Sequence, residues 1–345
     1  MKVTTIGIDL AKNVFQVHGV DERGKPVLRK QLKRKDVVAY FANLERCLIG
    51  MEACGSAHYW ARKLSGLGHT TRLMAPQFVK PYVKTNKSDR NDAEAICEAV
   101  GRPNMRFVPV KTAEQQAVLA LHRARQGFVK ARTAQANQIR GLLAEFGIVI
   151  PQGIGHIAKR LPQILEDGEN DLPGMLRQLL ERLRENLTDM DRQVGEMEQQ
   201  IKLWHRDNEQ SRDLEAIPGI GPITASAFVA TVGDAKSFKN ARQVPAWLGM
   251  VPRQDGTGGK VTLGKISKRG DVYLRTMLIH GARSVIAQIE RKPGQADAWL
   301  KKLLARRNKN IAAVALAAKN ARVAWALLAN GRNYQCDYIA TRPAA

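Results

Sequence analysis

Apolar and polar positions set out a series of elements from the first residues onward. From Lys2 to Lys12 the chain is largely β-branched or apolar, interrupted by Gly7 and Asp9, which predicts a buried strand that delivers one carboxylate near its end. Alternation resumes over Asn13–Val20, turns at Asp21-Glu22-Arg23-Gly24-Lys25 and continues through Pro26–Leu32, giving an antiparallel meander. Lys35–Glu45 carries helical periodicity through Val37, Val38, Phe41 and Leu44 and leads into a fourth strand, Cys47–Glu52, which also ends in a carboxylate. A helix over Ala57–Leu67 stops at Gly68, and His69–Met74 forms a fifth strand closed by Ala75-Pro76.

Three strands, helix, strand, helix, strand is the element order of an α/β RNase H-like domain. The next stretch, Gln77–Lys87, interleaves Lys80, Lys84 and Lys87 with Phe78 and Tyr82, a composition suited to backbone phosphates and stacking. Ser88 or Asp89 caps a helix running to about Val100, which places Asp89 and Asp92 on the same side of its first turn. Taken alone, these acids read as a cap and dipole-favouring first-turn residues. Two long amphipathic helices follow, Ala113–Phe146 and Met175–Trp204, separated by a Gly/Pro-rich break. They fit an antiparallel coiled-coil arm or oligomerisation surface, or equally a core hairpin. Beyond them, Ile217-Pro218-Gly219-Ile220-Gly221 has the pattern of a helix-hairpin-helix turn, in which Gly219 and Gly221 expose backbone N–H groups to a phosphate. Helices over Ala241–Leu248, Val272–Ile289 and Asn310–Leu328, with a Gly/Lys/Arg-rich loop over Val251–Gly270, complete a mainly α unit. The expected division is residues 1–112, 113–208 and 209–345.

Charge changes the picture from fold to partner. The 345 residues hold 55 Lys and Arg against 32 Asp and Glu, a net charge of +23 spread along the whole length, so the expected partner is a polyanion, nucleic acid above all. Within this balance Arg90, Lys260, Lys265, Lys268, Arg269, Arg306 and Arg307 add phosphate-facing candidates to the lysines after strand five. No apolar run is expected to approach the roughly 18 residues that span a bilayer, and no signal-peptide pattern opens the chain, so a cytoplasmic location without membrane partner is expected. Cys47, Cys54, Cys97 and Cys336 form no CxxC pair and are read as reduced thiols.

Asp9, Glu52, Asp89 and Asp92 gain meaning together. In an RNase H-like sheet the first and fourth strands are parallel neighbours, so Asp9 and Glu52 end side by side and the helix after strand five can bring its first turn to them. Such carboxylates cannot all be ionised at close range without a cation. Mg²⁺ suits hard oxygen ligands, and two ions about 3.5 to 4 Å apart can clamp the attacking and leaving oxygens of a phosphodiester.

The segments Gly7-Ile8-Asp9-Leu10-Ala11-Lys12, Met51-Glu52-Ala53-Cys54-Gly55, Lys87-Ser88-Asp89-Arg90-Asn91-Asp92-Ala93, Ile217-Pro218-Gly219-Ile220-Gly221 and Gly258-Gly259-Lys260 through Ile266-Ser267-Lys268-Arg269-Gly270-Asp271 carry a resemblance. With them the chain resembles a DEDD transposase of the insertion-sequence "one-ten" family, "eleven-eleven" branch, over nearly its whole length. The resemblance implies a RuvC-like N-terminal domain, a coiled-coil insertion and a C-terminal transposase domain. It implies excision and insertion of a DNA element, guided by a structured non-coding RNA that pairs with donor and target DNA, by dimers that join into tetramers in the bacterial nucleoid. It also implies that Asp9, Glu52, Asp89 and Asp92 bind Mg²⁺ while a serine before Gly-Gly-Lys attacks the phosphate. Here Gly256 stands where that serine is expected, leaving Thr257 as the substitute hydroxyl and Ser267 as the alternative. Two other readings stay open: a RuvC-like structure-specific endonuclease that uses water, and a non-catalytic nucleic-acid-binding scaffold.

Overall fold

A computed structural model describes residues 2–84, 86, 88–292 and 298–335. Its contacts gather into one unit containing the chain up to Gln116 together with Val232–Ser237, and another containing Ala117–Thr231 and the chain from Phe238 onward.

The first unit is built on a six-stranded sheet. Its elements are β1 (Thr5–Leu10), β2 (Val14–Val20), β3 (Pro26–Lys33), α1 (Val37–Ala42), β4 (Leu48–Glu52), α2 (Ala57–Gly66), β5 (Thr70–Met74), α3 (Pro76–Val79), α4 (Asp89–Val100) and β6 (Phe107–Val108). The strand order is β3-β2-β1-β4-β5-β6, with β1–β4 and β4–β5 parallel and the remaining pairs antiparallel. Sequence periodicity anticipates all of these but α3 and β6, which at four and two residues are too short to show a period.

Alternation sorts the side chains onto two faces. Ile6 and Ile8, Phe15 and Val17, and Ile49 and Met51 join Phe41, Trp60 and Leu64 in one buried cluster on the face of α1 and α2. Each large side chain fully buried there contributes roughly 1.5–3 kcal/mol. The opposite face carries Gly7 and Asp9 on β1 and Gly50 and Glu52 on β4, and α4 lies directly on it. A Cβ added at Gly7 would stand 2.2 Å from the carbonyl oxygen of Ala93 and 2.3 Å from the amide nitrogen of Cys97. At Gly50 it would stand 2.7 Å from the Val100 side chain. Bare glycine backbone is therefore what lets the helix sit on the strands.

The second unit is helical: α5 (Ala113–Ala144, its first residues belonging to the first unit), α6 (Ile154–Glu166), α7 (Gly174–Asp207), α8 (Glu209–Glu215), α9 (Pro222–Val232), α10 (Gln243–Trp247), α11 (Val272–Arg291), α12 (Ala298–Arg306) and α13 (Lys309–Asn330). Bonds from Arg125 to Glu198, Arg132 to Asp191 and Gln135 to the Leu183 carbonyl run in opposite order along α5 and α7, so the two are antiparallel. The α7 seam Leu180, Leu187, Val194 and Ile201 is buried within the chain, and the distal part packs with α6 and Leu143. Helix α6 fills part of the Gly/Pro-bounded stretch left without an element in the sequence; Pro162 inside it masks the periodicity. Buried His122 on α5 bonds Tyr273 Oη of α11 at 3.0 Å and Ser226 Oγ of α9 at 3.1 Å, tying three helices together.

Two expectations are corrected. Val251–Gly270 is not a loop: it contains the antiparallel ribbon β7 (Pro252–Thr257) and β8 (Lys260–Ile266). Gly258 and Gly259 have φ of 55° and 79°, the two positive values a tight hairpin turn requires, and the glycine and lysine content hides the strands. The expectation that no apolar stretch reaches membrane-spanning length also fails, since α13 meets it by length and composition. Its stripe Ala313, Leu316, Ala317, Asn320, Ala321 and Ala324 is buried in the helical unit, as in a core helix.

Candidate active site

The sheet register builds the site. Parallel pairing couples Gly7 with Gly50 and Ile8 with Met51, so Asp9 and Glu52 follow as the next residues of adjacent strands, on the same face and half-buried. Both charges reach Cys54: partial desolvation pushes its thiol above the ordinary range, and Glu52 and then Asp9 push it further. Helix α4 begins at the N-cap Ser88, whose hydroxyl accepts from the Asn91 amide at 3.3 Å. Asp92, half-buried, immediately precedes the Ala93 that rests on Gly7; Asp89 is exposed one turn earlier on the same helical stripe. The register brings Asp9 and Glu52 together, and the glycine contact seats Asp92 above their face. Among the described residues no three His, Cys, Asp or Glu side chains are close enough to hold a metal ion. The oxygen donors of Asp9 and Glu52 suit a hard cation in kind, and they form part of a ligand set rather than a closed one.

The basic candidates separate by environment. Lys80 and Arg90 are exposed, and Lys87 lies outside the described residues. Lys84 is paired with Glu98 at 2.8 Å, which also pairs with Arg102. Lys260, Lys265, Lys268, Arg269, Arg306 and Arg307 are exposed. The two glycines of the candidate hairpin differ. Gly219, at φ 88°, packs against α11, where an added Cβ would lie 2.8 Å from the Gly281 carbonyl oxygen, and Pro218 O accepts from Asn320 at 2.8 Å. Gly221 faces open space at the start of α9.

Thr257 is exposed at the tip of the ribbon. Ser267 is held at its base: its amide donates to Val251 O at 2.8 Å and its hydroxyl accepts from the Arg269 amide at 3.5 Å. Close backbone crossings fix that base. A Cβ at Gly249 would be 2.1 Å from Arg269 O, one at Gly270 would be 2.0 Å from Trp247 O, and buried Arg275 donates to Leu248 O at 2.9 Å. Sequence reasoning did not single out the polar residues beside Asp9 on the α4 face, Gln16, His18, Arg29 and Gln31; the signal was their period-two phase with Asp9.

Comparison with known proteins identifies the machinery. Residues 6–148 match the model of the DEDD transposase of the IS110 type, and residues 211–298 match the transposase family IS116/IS110/IS902. A probable family 20 transposase of Pseudomonas aeruginosa is 52% identical over 97% of this chain and 99% of its own length. The transposase for insertion sequence element IS1111A of Coxiella burnetii is 45% identical over 97% and 92%, and that for IS1328 of Yersinia enterocolitica is 44% identical over 95% and 98%. Identity sustained across both matched regions and almost the full length of these relatives shows that the chain belongs to the IS116/IS110/IS902 family of insertion-sequence transposases and is a DNA transposase.

Proposed function

We propose that the chain excises and inserts its element by cutting and rejoining DNA strands, with metal-binding carboxylates on a RuvC-like, RNase H-like domain over residues 1–112 and a hydroxyl nucleophile on a transposase domain over residues 209–345. Residues 113–208 form a coiled-coil arm or oligomerisation region. The observation that carries this reading is the parallel register that places Asp9 beside Glu52 under a helix seated by Gly7. Asp9, Glu52, Asp92 and Asp89 would hold Mg²⁺, which when bound supplies charge stabilisation to the reacting phosphate. The Thr257 oxygen attacks phosphorus, the bond to the departing strand oxygen breaks, the hydroxyl proton leaves to solvent and the departing oxygen takes one up. A phosphothreonine link results, and attack by the hydroxyl of the incoming strand on that ester restores Thr257 and joins the new ends. Exposure of Thr257 favours it over Ser267, whose hydroxyl is engaged at the ribbon base. The exposed cations and Gly221 at the start of α9 contact phosphates. A structured element-encoded RNA guides pairing with donor and target DNA, and dimers join into tetramers at the synapse, in the cytoplasm at the nucleoid.

Mg²⁺-dependent strand cleavage of matched donor and target DNA, with the element's RNA present, tests the reading. Glu52→Gln and Asp9→Asn should abolish cleavage and retain DNA binding, and Thr257→Ala should abolish the covalent adduct that survives denaturation. Full activity in Asp9→Asn would overturn the carboxylate assignment. Gly256, at the place where the family carries serine, supports one second reading: hydrolysis by water, in which no adduct forms in any variant.

A further inference from the structure

On the α4 face of the sheet, beside Asp9, polar side chains stand in two rows. Gln16 pairs with Asp9 on one side and Gln31 on the other, and His18 pairs with Gly7 on one side and Arg29 on the other. Arg90 and Ala93 of α4 flank them, and together they line a half-open cavity of about 280 Å³. Adjacent strands lie about 4.8 Å apart, so the cavity opens one strand spacing from the Asp9 carboxylate.

Three observations describe what this cavity takes. His18 is 3% exposed, and its Nδ1 has no hydrogen-bond partner. An unmade bond on a buried polar atom is costly, and Nδ1 is itself out of reach of solvent, so a turn of the ring that brings it to the cavity and an outside acceptor gains a bond the free chain lacks. Desolvation lowers the His18 pKa, with Arg29 and Arg90 lowering it further against the opposing Glu94, so the imidazole is neutral near pH 7 and can present an N–H at Nδ1. The charge is cationic: Arg29 is loosely paired with Glu94 at 3.8 Å, and exposed Arg90 stands beside it. Gln16 and Gln31 add amide donors. Convergent neutral and cationic donors without a buried acid recognise an anion with several oxygen acceptors.

We infer that this cavity is a phosphate-binding site that holds a backbone phosphate of the DNA strand lying across Asp9 and Glu52, with His18, Arg29, Arg90 and Gln16 as its donors. The inference rests on the proposed reading that those carboxylates mark the site of strand cleavage. It assigns Arg90 and His18 to positioning the strand rather than to the chemistry.

The test uses the full chain with isotope-labelled histidine, without Mg²⁺, and follows the His18 ring resonances by NMR, assigned with His18→Gln. Three probes are titrated: a single-stranded DNA oligonucleotide, an RNA of the same sequence and inorganic phosphate. DNA should move the His18 signals at concentrations that saturate binding. Arg90→Gln should weaken the DNA about tenfold and reduce the slope of log affinity against log salt by about 0.7, with Arg90→Lys restoring most of the slope. His18 signals that stay still at saturating DNA, or that move with RNA alone or inorganic phosphate alone, overturn the site. Glu52→Gln separates the two claims: it should lose cleavage and keep the His18 response. Cleavage that persists in Asp9→Asn and Glu52→Gln while His18 still responds would refute the active-site reading and leave the phosphate site standing.

Discussion

Replacing Gly7 by alanine tests whether α4 is held on the sheet by bare backbone. The φ of Gly7 lies outside the left-handed region, so alanine meets no dihedral penalty and its cost is contact alone. The added Cβ would sit 2.2 Å from Ala93 O and 2.3 Å from Cys97 N, where ordinary contact begins near 3.4 Å. Both neighbours are backbone atoms in consecutive turns of one helix, so no rotamer change relieves them and α4 must retreat by more than about 1 Å. Overpacking typically costs about 1–3 kcal/mol. Retreat also loosens Ala95, Ile96, Ala99 and Val100 from their buried cluster, which places Gly7→Ala at about 3 kcal/mol.

Gly50→Ala is the internal comparison. The nearest atoms to its Cβ all belong to Val100, with the valine Cβ at 2.7 Å and both γ-methyls at 3.0 Å; rotation about χ1 does not move that Cβ, so the last turn of α4 must shift, but by less than at Gly7, and about 1 kcal/mol is expected. At about 4 °C per kcal/mol for a unit of this size, calorimetry should find the melting of the N-terminal unit lowered by about 12 °C and about 4 °C respectively. Gly7→Ala should also lose strand cleavage at temperatures where it remains folded, because the retreat carries Asp92 away from Asp9 and Glu52. A Gly7→Ala protein that melts within about 2 °C of the unmodified chain, or Gly50→Ala costing more than Gly7→Ala, would refute the packing argument.

Buried His122 has its pKa lowered to about 4 from an ordinary 6.5, by desolvation first and then by Arg125. The unfolded chain therefore binds a proton that the folded chain refuses. Stability is fully present above pH 6.5 and is lost as pH falls toward 4, by about 3 kcal/mol, a loss that chemical denaturation should find largely absent in His122→Gln. Gly219→Ala should destabilise the helical unit by about 1–3 kcal/mol, from its φ of 88° and the 2.8 Å approach to Gly281 O, whereas Gly221→Ala, facing open space, should leave the melting temperature within about 2 °C. Gly259→Val, at φ 79°, should disrupt the ribbon turn and abolish the covalent adduct with no change in melting temperature, since almost every ribbon position is exposed and adds nothing to a core.

What sequence periodicity disclosed followed from burial. β1, β2 and β4 each bury one face against α1 and α2, so selection for apolar residues writes a period of two that can be read directly, and the strand-ending Asp9 and Glu52 stand out against it. Ser88 announces the start of α4 by cap chemistry, independently of any tertiary contact. The ribbon was illegible for the converse reason: with no buried face it carries no apolar alternation, and only the Gly258-Gly259 pair marks it. α6 was obscured by Pro162, a residue that normally argues against a helix interior. The pair Gln16 and His18 looked like the polar half of an ordinary amphipathic strand, because a period-two phase shared with Asp9 does not tell a polar face turned to solvent from one roofed by a helix that begins more than fifty residues beyond β3.

The carboxylate pair and the proposed nucleophile are accordingly held on opposite principles. Asp9 and Glu52 are placed by a hydrogen-bonded register between β1 and β4 and by a helix whose backbone touches Gly7, so their separation cannot change without breaking the sheet. Thr257 sits on a two-stranded ribbon clamped at its base by Gly249, Gly270 and Arg275 and supported by almost nothing along its length. A carboxylate set that holds a metal gains from rigidity, since ligand geometry decides whether it binds. A nucleophile that must reach phosphorus, form an ester and be displaced by another strand gains from a tether that is firm at its root and adaptable at its tip. Shortening the reach at the tip, as Gly259→Val does by disordering the turn, should therefore remove the covalent step while sparing metal-dependent binding of DNA. Weakening the root through Arg275, a buried cation bonded to two backbone carbonyls, should instead cost stability of the helical unit as well.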